Sequence, residues 1–543
     1  AIHKTGHLFT IQTVVIHDNA RRLIMQMKLG GRWVRQIFGT FSLATMAGIF
    51  VFAAQAQPAR PAAPGKAPGL GTVKPTPTKR PDVAPRPGQK KSPDTPNIIF
   101  IIADDLGWGE LGSYGQKLIK TPNLDRLAAE GMRFSQCYAG SPVGNASRAS
   151  LMTGMHSGHA YIRGSRSVPL RGADHIIPMY LRGTRKYQTI ALGKWNLGGK
   201  GTKGAPFEKG FNQWMGFVDQ THANNHYPQF IWRYTPGVRG VNSWNGDVQI
   251  HANIGKRTVY STDLITRAAL NGVRIYRPAW ETGFRPFFLY LSYTAPHANN
   301  QLARATGMGM EVPSDAPYSH QRWPRAERNK AAIISRLDNA VGQLMAMLKK
   351  YDMDKDTLIF FTSDNGPHQE GGNDPKFFNS TGGFRGIKGS LYEGGLRVPM
   401  IVRWTGKIKP NTVSHQPFAF WDVLPTLLQV ARIPSPREID GISMMPTLIG
   451  LEQKEKHEFL YWESHENGSK QAARKDQWKA VRPAPGKALE LYDLSRDPAE
   501  TTNVALQNPK VIQEFETYLR TARTRSLHWP ITIPGQNAAT LRR

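Results

Sequence analysis

Asn97-Ile-Ile-Phe-Ile-Ile-Ala-Asp-Asp105 is a continuous apolar run bounded by polar residues. That is the pattern of a strand covered on both faces, as in a parallel sheet, where helices lie above and below. Working outward, Thr121-Pro-Asn-Leu-Asp-Arg-Leu-Ala-Ala-Glu-Gly131 has Thr at the N-cap, Pro at the first helical position and a terminal Gly, so it reads as a helix. Met132–Tyr138 follows as a strand. Further strands are expected at Gln188–Leu192, Pro286–Tyr293 and Thr357–Thr362, with a helix from about Lys330 to Lys350. In that helix Ile333, Leu337, Val341, Leu344 and Leu348 recur at helical spacing and read as core packing. The alternation predicts an α/β fold, a large mostly parallel sheet flanked by helices.

Ligands in such sheets gather outside the carboxyl ends of the strands. Polar residues stand at those ends here: Asp104 and Asp105 after the first strand, Lys194 after Gln188–Leu192, His297 just past Tyr293, Asp364 and Asn365 after Thr357–Thr362. Ionisable groups sorted to one end of several strands predict one shared site. Asp104, Asp105, Asp364 and Asn365 offer only oxygen ligands, which suits a hard cation, Ca²⁺ or else Mg²⁺, and disfavours zinc. One Asp pair alone would more simply cap a helix or bond a turn; two pairs at two strand ends favour metal.

A second segment, Ser141-Pro-Val-Gly-Asn-Ala-Ser-Arg-Ala-Ser-Leu-Met-Thr-Gly154, reads as a tight turn from Ser141 to Asn145 running into a helix. Backbone N–H groups at a helix start lack partners and attract anions. Arg148, one turn in, adds a fork of donors matched to a tetrahedral oxyanion.

This segment resembles the signature of the type I sulfatases, in which Cys-x-Pro-x-Arg opens a helix that continues towards Leu-x-Thr-Gly. The resemblance spans about Thr95 to Ala505. Ala-Asp-Asp-Leu-Gly and Thr-Ser-Asp-Asn-Gly look like the family's two calcium motifs. Gly193-Lys-Trp-Asn-Leu-Gly198 is similar to Gly-Lys-Trp-His-Leu-Gly, which gives Lys194 a sulfate-contacting role and puts Asn196 where the family has His. Tyr293-Thr-Ala-Pro-His297 matches the segment whose His contacts the sulfate and ester oxygens. Gly386-Ile-Lys388 with Tyr392-Glu-Gly-Gly-Leu-Arg-Val-Pro399 matches the block whose Lys neutralises the transferring group. Asp219-Gln-Thr-His-Ala-Asn224 resembles a block that usually reads His-Ala-His, so Asn224 is a second His-to-Asn departure. In the family the signature Cys is oxidised to formylglycine, the nucleophile. Aligned on Arg148, that position is Gly144 and the Pro position is Ala146, so no formylglycine is expected.

The resemblance implies an alkaline phosphatase/sulfatase-like α/β domain over residues 96–455 and a small C-terminal α+β subdomain over 456–543. Glu458-Phe-Leu-Tyr-Trp462 and Trp478-Lys-Ala-Val-Arg482 read as its strands, and Pro509 to about Arg523 as its helix. Sulfate-ester cleavage needs charge stabilisation, an in-line nucleophile and an acid for the leaving oxygen. Arg148, Lys194, Lys388 and the metal meet the first need, and His297 is the expected acid. Gly144 has no side chain to attack with.

The 543 residues carry a net charge of +30; residues 1–100, with 14 Lys/Arg against 3 Asp/Glu, hold +11 of it. A basic globule suits a polyanionic partner, and without a nucleic-acid-binding signature a sulfated small molecule or glycan is expected rather than nucleic acid. The single Cys137 excludes an internal disulfide and a thiolate cluster, and reads as a buried structural thiol. Lys28, Arg32 and Arg35, the apolar run Ile37–Ala53 and Ala54-Gln55-Ala56 read as a secretory signal over 27–56. Residues 1–26 then read as an upstream segment, and no membrane span is expected after cleavage. The Pro/Ala/Lys-rich stretch 57–95 reads as an extended, disordered tether. Three functions remain: a secreted sulfuric ester hydrolase with a substitute for the nucleophile, a sulfated-glycan-binding protein without turnover, and, less favoured, a phosphodiesterase of the same superfamily.

Overall fold

The computed structural model describes residues 23–29, 32–38, 95–183, 187–234, 247–277 and 285–531. Residues 1–87 and 88–543 form separate units. In the first, strands β1 (Leu23–Leu29) and β2 (Arg32–Phe38) pair antiparallel. This ribbon overlaps the start of the segment read as a secretory signal; the rest of that segment, and the tether up to residue 94, lie outside the described residues.

The second unit is built on a mixed, mostly parallel sheet. Its strands are β3 (Asn97–Asp104), β4 (Met132–Tyr138), β5 (Gln188–Lys194), β6 (Gln213–Phe217), β7 (Phe230–Tyr234), β8 (Asp247–Gln249), β9 (Phe287–Pro296), β10 (Thr357–Ser363), β11 (Arg397–Arg403), β12 (Thr412–Ser414) and β13 (Phe418–Ala419). They run in the order β12-β4-β11-β10-β3-β9-β5-β6-β7-β8, with β13 also on β4. The centre, β10-β3-β9-β5-β6, is wholly parallel; β11 runs antiparallel to β10 and β4, and β7 to β6.

Every residue of β3 is buried. Ile99, Ile101 and Ala103 enter one core layer, and Ile98, Phe100 and Ile102 the other. Two covered faces therefore explain the uninterrupted apolar run, since alternation with polar residues would bury them without partners. On the first face lies the Arg325–Lys350 helix, whose Ile333, Leu337, Val341, Leu344 and Leu348 are all buried in that layer. The Ser261–Ile275 helix packs on the same face. Helices Gly144–Thr153, Ile177–Gly183 and Val423–Val430 cover the other.

Two local expectations change. Thr121 occupies the N-cap of the Pro122–Ala129 helix, but its hydroxyl accepts from the Gly112 N–H at 2.9 Å and donates to Asp125 at 3.2 Å instead of capping. Gly131 is needed for close packing and not for a left-handed turn, because a Cβ there would sit 2.3 Å from the Val402 carbonyl oxygen on β11.

The C-terminal part is an antiparallel sheet of β14 (Leu460–Ser464), β15 (Lys470–Lys475), β16 (Trp478–Arg482) and β17 (Glu490–Asp493), in that order. One face, with Trp462 and Val481, packs on Tyr138 and Trp421 of the main sheet region. The other, with Tyr461 and Leu491, packs on Phe515 and Leu519 of the Pro509–Thr521 helix. Cys137 is fully buried, and burial raises its thiol pKa well above the ordinary value, as a structural thiol requires.

Candidate functional site

The strand-end residues converge. Asp104 closes β3, and Asp105 follows it in a left-handed conformation (φ 67°) that turns the chain across the sheet edge. The Asp105 N–H donates to Asp364 Oδ1 at 3.0 Å, tying the end of β3 to the residue after β10. Lys194, the last residue of β5, donates to both Asp104 oxygens at 2.8 and 2.7 Å. Arg148 reaches in from the Gly144–Thr153 helix and donates to Asp364 Oδ2 through Nε (3.0 Å) and a terminal nitrogen (2.8 Å). It also bonds the Ser292 hydroxyl and lies 3.6 Å from Asp104. All six of these side chains are buried.

Lys388 enters from the loop before β11. It donates to Asp105 at 2.9 Å, Glu370 at 3.0 Å and His297 Nε2 at 3.1 Å. His297 donates from Nδ1 to the Ala298 carbonyl at 2.7 Å, so Nε2 carries the lone pair that receives Lys388. Burial, reinforced by Lys388, lowers the His297 pKa to about 3. This geometry holds the ring neutral, with no proton on the nitrogen that faces the site. Lys388 carries the positive charge beside it.

Burial would raise the Asp105 pKa, but Lys388 and then His297 outweigh it and hold the group below the usual carboxylate range. Asp364 moves the other way: burial lifts it to about 6, and Arg148 offsets only part of that rise. Burial disfavours the cationic form of Lys388, yet Asp105 and Glu370 more than compensate and its pKa rises. Four carboxylates, Asp104, Asp105, Asp364 and Glu370, thus share the cluster with three cations, Arg148, Lys194 and Lys388.

A metal fits the donor set. Asn365 donates through Nδ2 to Asp105 at 2.7 Å and to the Gly366 carbonyl at 2.8 Å, while its buried Oδ1 has no hydrogen-bond partner among the described residues. An orphaned buried acceptor beside three carboxylates is an oxygen ligand in waiting. Ligand atoms of Asp104, Asp105 and His297 also lie within 4.8 Å of one another.

Gly144 is the first residue of its helix, not part of a longer turn reaching Asn145. A Cβ there would meet Asp364 Oδ2 at 2.4 Å and Asn365 Oδ1 at 3.6 Å, so the position faces the carboxylate cluster. Ala146 is buried, and the Ser147 hydroxyl accepts from the Gly140 N–H at 3.1 Å, bracing the turn. The buried Ser141 hydroxyl has no hydrogen-bond partner among the described residues. Asn196 lies two residues past Lys194 in a left-handed conformation (φ 56°), which Asn tolerates better than most residues. Asn224 stands one side chain away from His297: Gln220 Nε2 donates to Asn224 Oδ1 at 2.6 Å and approaches His297 Nε2 at 3.3 Å. Glu370, His368 (its ring centroid 5.6 Å from that of His297) and Ser292 were not read from sequence as site residues. The only signal for the first two was their place in the loop that continues from Asp364-Asn365.

Carboxylates, an amide, Arg148 and two lysines thus meet at one end of a mostly parallel sheet. The chain belongs to the sulfatase family: the Sulfatase family model matches residues 96–433, and the model for the C-terminal region of N-sulphoglucosamine sulphohydrolase matches residues 386–525. Among relatives, N-acetylgalactosamine-6-sulfatase of Canis lupus familiaris is 31% identical over 400 residues, covering 69% of this chain and 70% of that one. N-acetylgalactosamine-6-O-sulfatase of Bacteroides thetaiotaomicron is 28% identical over 508 residues, 79% of this chain and 93% of that one. Among solved structures, Ps i-CgsB in complex with k-i-k-neocarrahexaose is similar with a TM-score of 0.66 at 29% identity, covering 82% of this chain and 96% of that one. No helix among the described residues is long and apolar enough to cross a membrane.

Proposed function

We propose that this chain is an exported protein that binds a sulfated saccharide and does not hydrolyse it by the formylglycine route. In this reading Asp104, Asp105, Asp364 and Asn365 hold Ca²⁺, or Mg²⁺ in its place. The cation supplies neutralisation of charge on the sulfuryl oxygens when bound. Arg148, Lys194 and Lys388 orient the sulfate, since fixed cations in a buried site grip an anion without reorganising. Gly144 takes the position of the family's oxidised Cys and brings no attacking atom.

The observation that carries the reading is the direction of Gly144: its missing side chain would stand 2.4 Å from Asp364 Oδ2, inside the charged cluster. That placement supports a reading in which the position facing the cluster brings no attacking atom. Calorimetry with N-acetylgalactosamine 6-sulfate tests it. Binding should require calcium and weaken as salt rises from 50 to about 300 mM, because charge pairing dominates. Hydrolysis of an aryl sulfate well above background, abolished by Lys388→Ala, would refute the absence of turnover. Mass spectrometry of residues 137–148 should find no modified side chain.

A further inference from the structure

Beside the anion site, polar side chains from three inter-strand segments close into a ring. His297 Nε2 accepts from Lys388 at 3.1 Å, and Lys388 pairs with Glu370 at 3.0 Å. Asn300 donates to the other Glu370 oxygen at 2.7 Å. Next to it in the chain, Gln301 accepts from Asn224 at 3.2 Å; Asn224 accepts from Gln220 at 2.6 Å, and Gln220 returns to His297 at 3.3 Å. The contributing segments follow β6, β9 and β10, all at the strand ends that hold the anion site. Four of the seven members are neutral amides, and Glu370 is a third exposed.

Amides present donors and acceptors together, which suits sugar hydroxyls, and a carboxylate adds a strong acceptor. Like charge facing like charge at a binding surface is a device of rejection. Glu370 Oε2 lies 3.5 Å from His297 and its Oε1 on Lys388, so its negative charge adjoins the place where the ligand's sulfate is gripped. A ligand with a second acidic group beside its sulfate would meet that charge; a neutral sugar would meet a hydroxyl acceptor.

We propose that Glu370, Asn300, Gln301, Asn224 and Gln220 form a sugar-reading rim on the anion site, with Glu370 selecting a sulfated neutral sugar over a sulfated uronate. The proposal rests on the sulfated-saccharide reading above and narrows its substrate class.

The test uses the full chain with calcium and three probes in calorimetry: N-acetylgalactosamine 6-sulfate, methyl glucuronide 2-sulfate and inorganic sulfate. The natural protein should bind the neutral sugar sulfate at least about tenfold more tightly than the uronate sulfate. Glu370→Gln should cut that preference about tenfold, whatever it does to overall anion affinity. Asn300→Ala should lower the ratio of sugar-sulfate to inorganic-sulfate affinity by about tenfold, a loss of the size expected when polar groups lose their partners. Equal binding of both sugars by the natural protein, or an unchanged preference in Glu370→Gln, overturns the rim while leaving the anion site standing. Failure of all three probes to bind overturns both. The two substitutions sit on different segments, Asn300 at a helix start after β9 and Glu370 in the loop after β10, so misfolding of one variant leaves the other as a test.

Discussion

Replacing Gly144 by Ala tests the placement of this residue most directly. The new Cβ lands 2.4 Å from Asp364 Oδ2, while Asp364 Cγ (3.4 Å) and Asn365 Oδ1 (3.6 Å) lie at ordinary contact. Relief requires the carboxylate oxygen to retreat by about 1 Å to reach van der Waals separation. Asp364 is fully buried and pinned by Arg148 at 3.0 and 2.8 Å on that same oxygen, with the Asp105 N–H at 3.0 Å on its other one. A retreat of that size breaks at least one Arg148 bond, and a hydrogen bond to a charged group contributes about 1.5–3 kcal/mol. Removing glycine from a helix returns up to about 1 kcal/mol, less at its first position. The expected net loss is about 1–2 kcal/mol, read as a lower urea midpoint at unchanged slope in calcium-free buffer. In an Asp364→Ala background the same substitution should be neutral or stabilising, because the collision is gone. A Gly144→Ala protein as stable as the parent would refute the close approach, and with it the argument that position 144 faces the cluster. The same collision predicts that Gly144→Cys with Asn145→Ala and Ala146→Pro recovers little hydrolysis even when the cysteine is converted.

Lys388→Met should raise the pKa of His297 from about 3, since Lys388 is the largest contributor after burial; NMR titration of the ring reads it. His156, packed beside His159 and Asp440, is held at a pKa of about 4 by burial. Its folded-state pKa is depressed, so its contribution is complete above pH 6.5 and is lost as pH falls through about 4. The loss is about 3 kcal/mol, and His156→Gln should flatten the stability profile across that window in acid-titrated melts. Chelation should lower the melting temperature of the natural protein and do so less in Asn365→Ala, whose orphaned oxygen has been removed.

Much of the fold was legible because its signals are local. The β3 run, the helical spacing of Ile333 to Leu348 and the polar residues at strand ends each depend on neighbours within a few positions. The order of strands in the sheet was not legible, since β3 sits between strands almost two hundred residues and more away from it in the chain. Glu370 gave no periodic or capping signal, and its contacts come from Asn300, at the start of a helix after β9, and from Lys388, further along its own β10–β11 connection. The neutral state of His297 was likewise invisible, because Lys388, which takes its lone pair, lies 91 residues away.

Residue types at strand ends were enough to show which side chains gather there: carboxylates and an amide, of the kind that suits a hard cation, with Lys and Arg among them. The bare side chain at position 144 is likewise a property of the residue itself. Which groups face one another was settled only by folding. Asp364 stands against position 144, Lys388 against both Asp105 and His297, and Glu370 at the rim because a parallel sheet brings remote strand ends within a few ångströms, where Coulomb and hydrogen-bond energies become large.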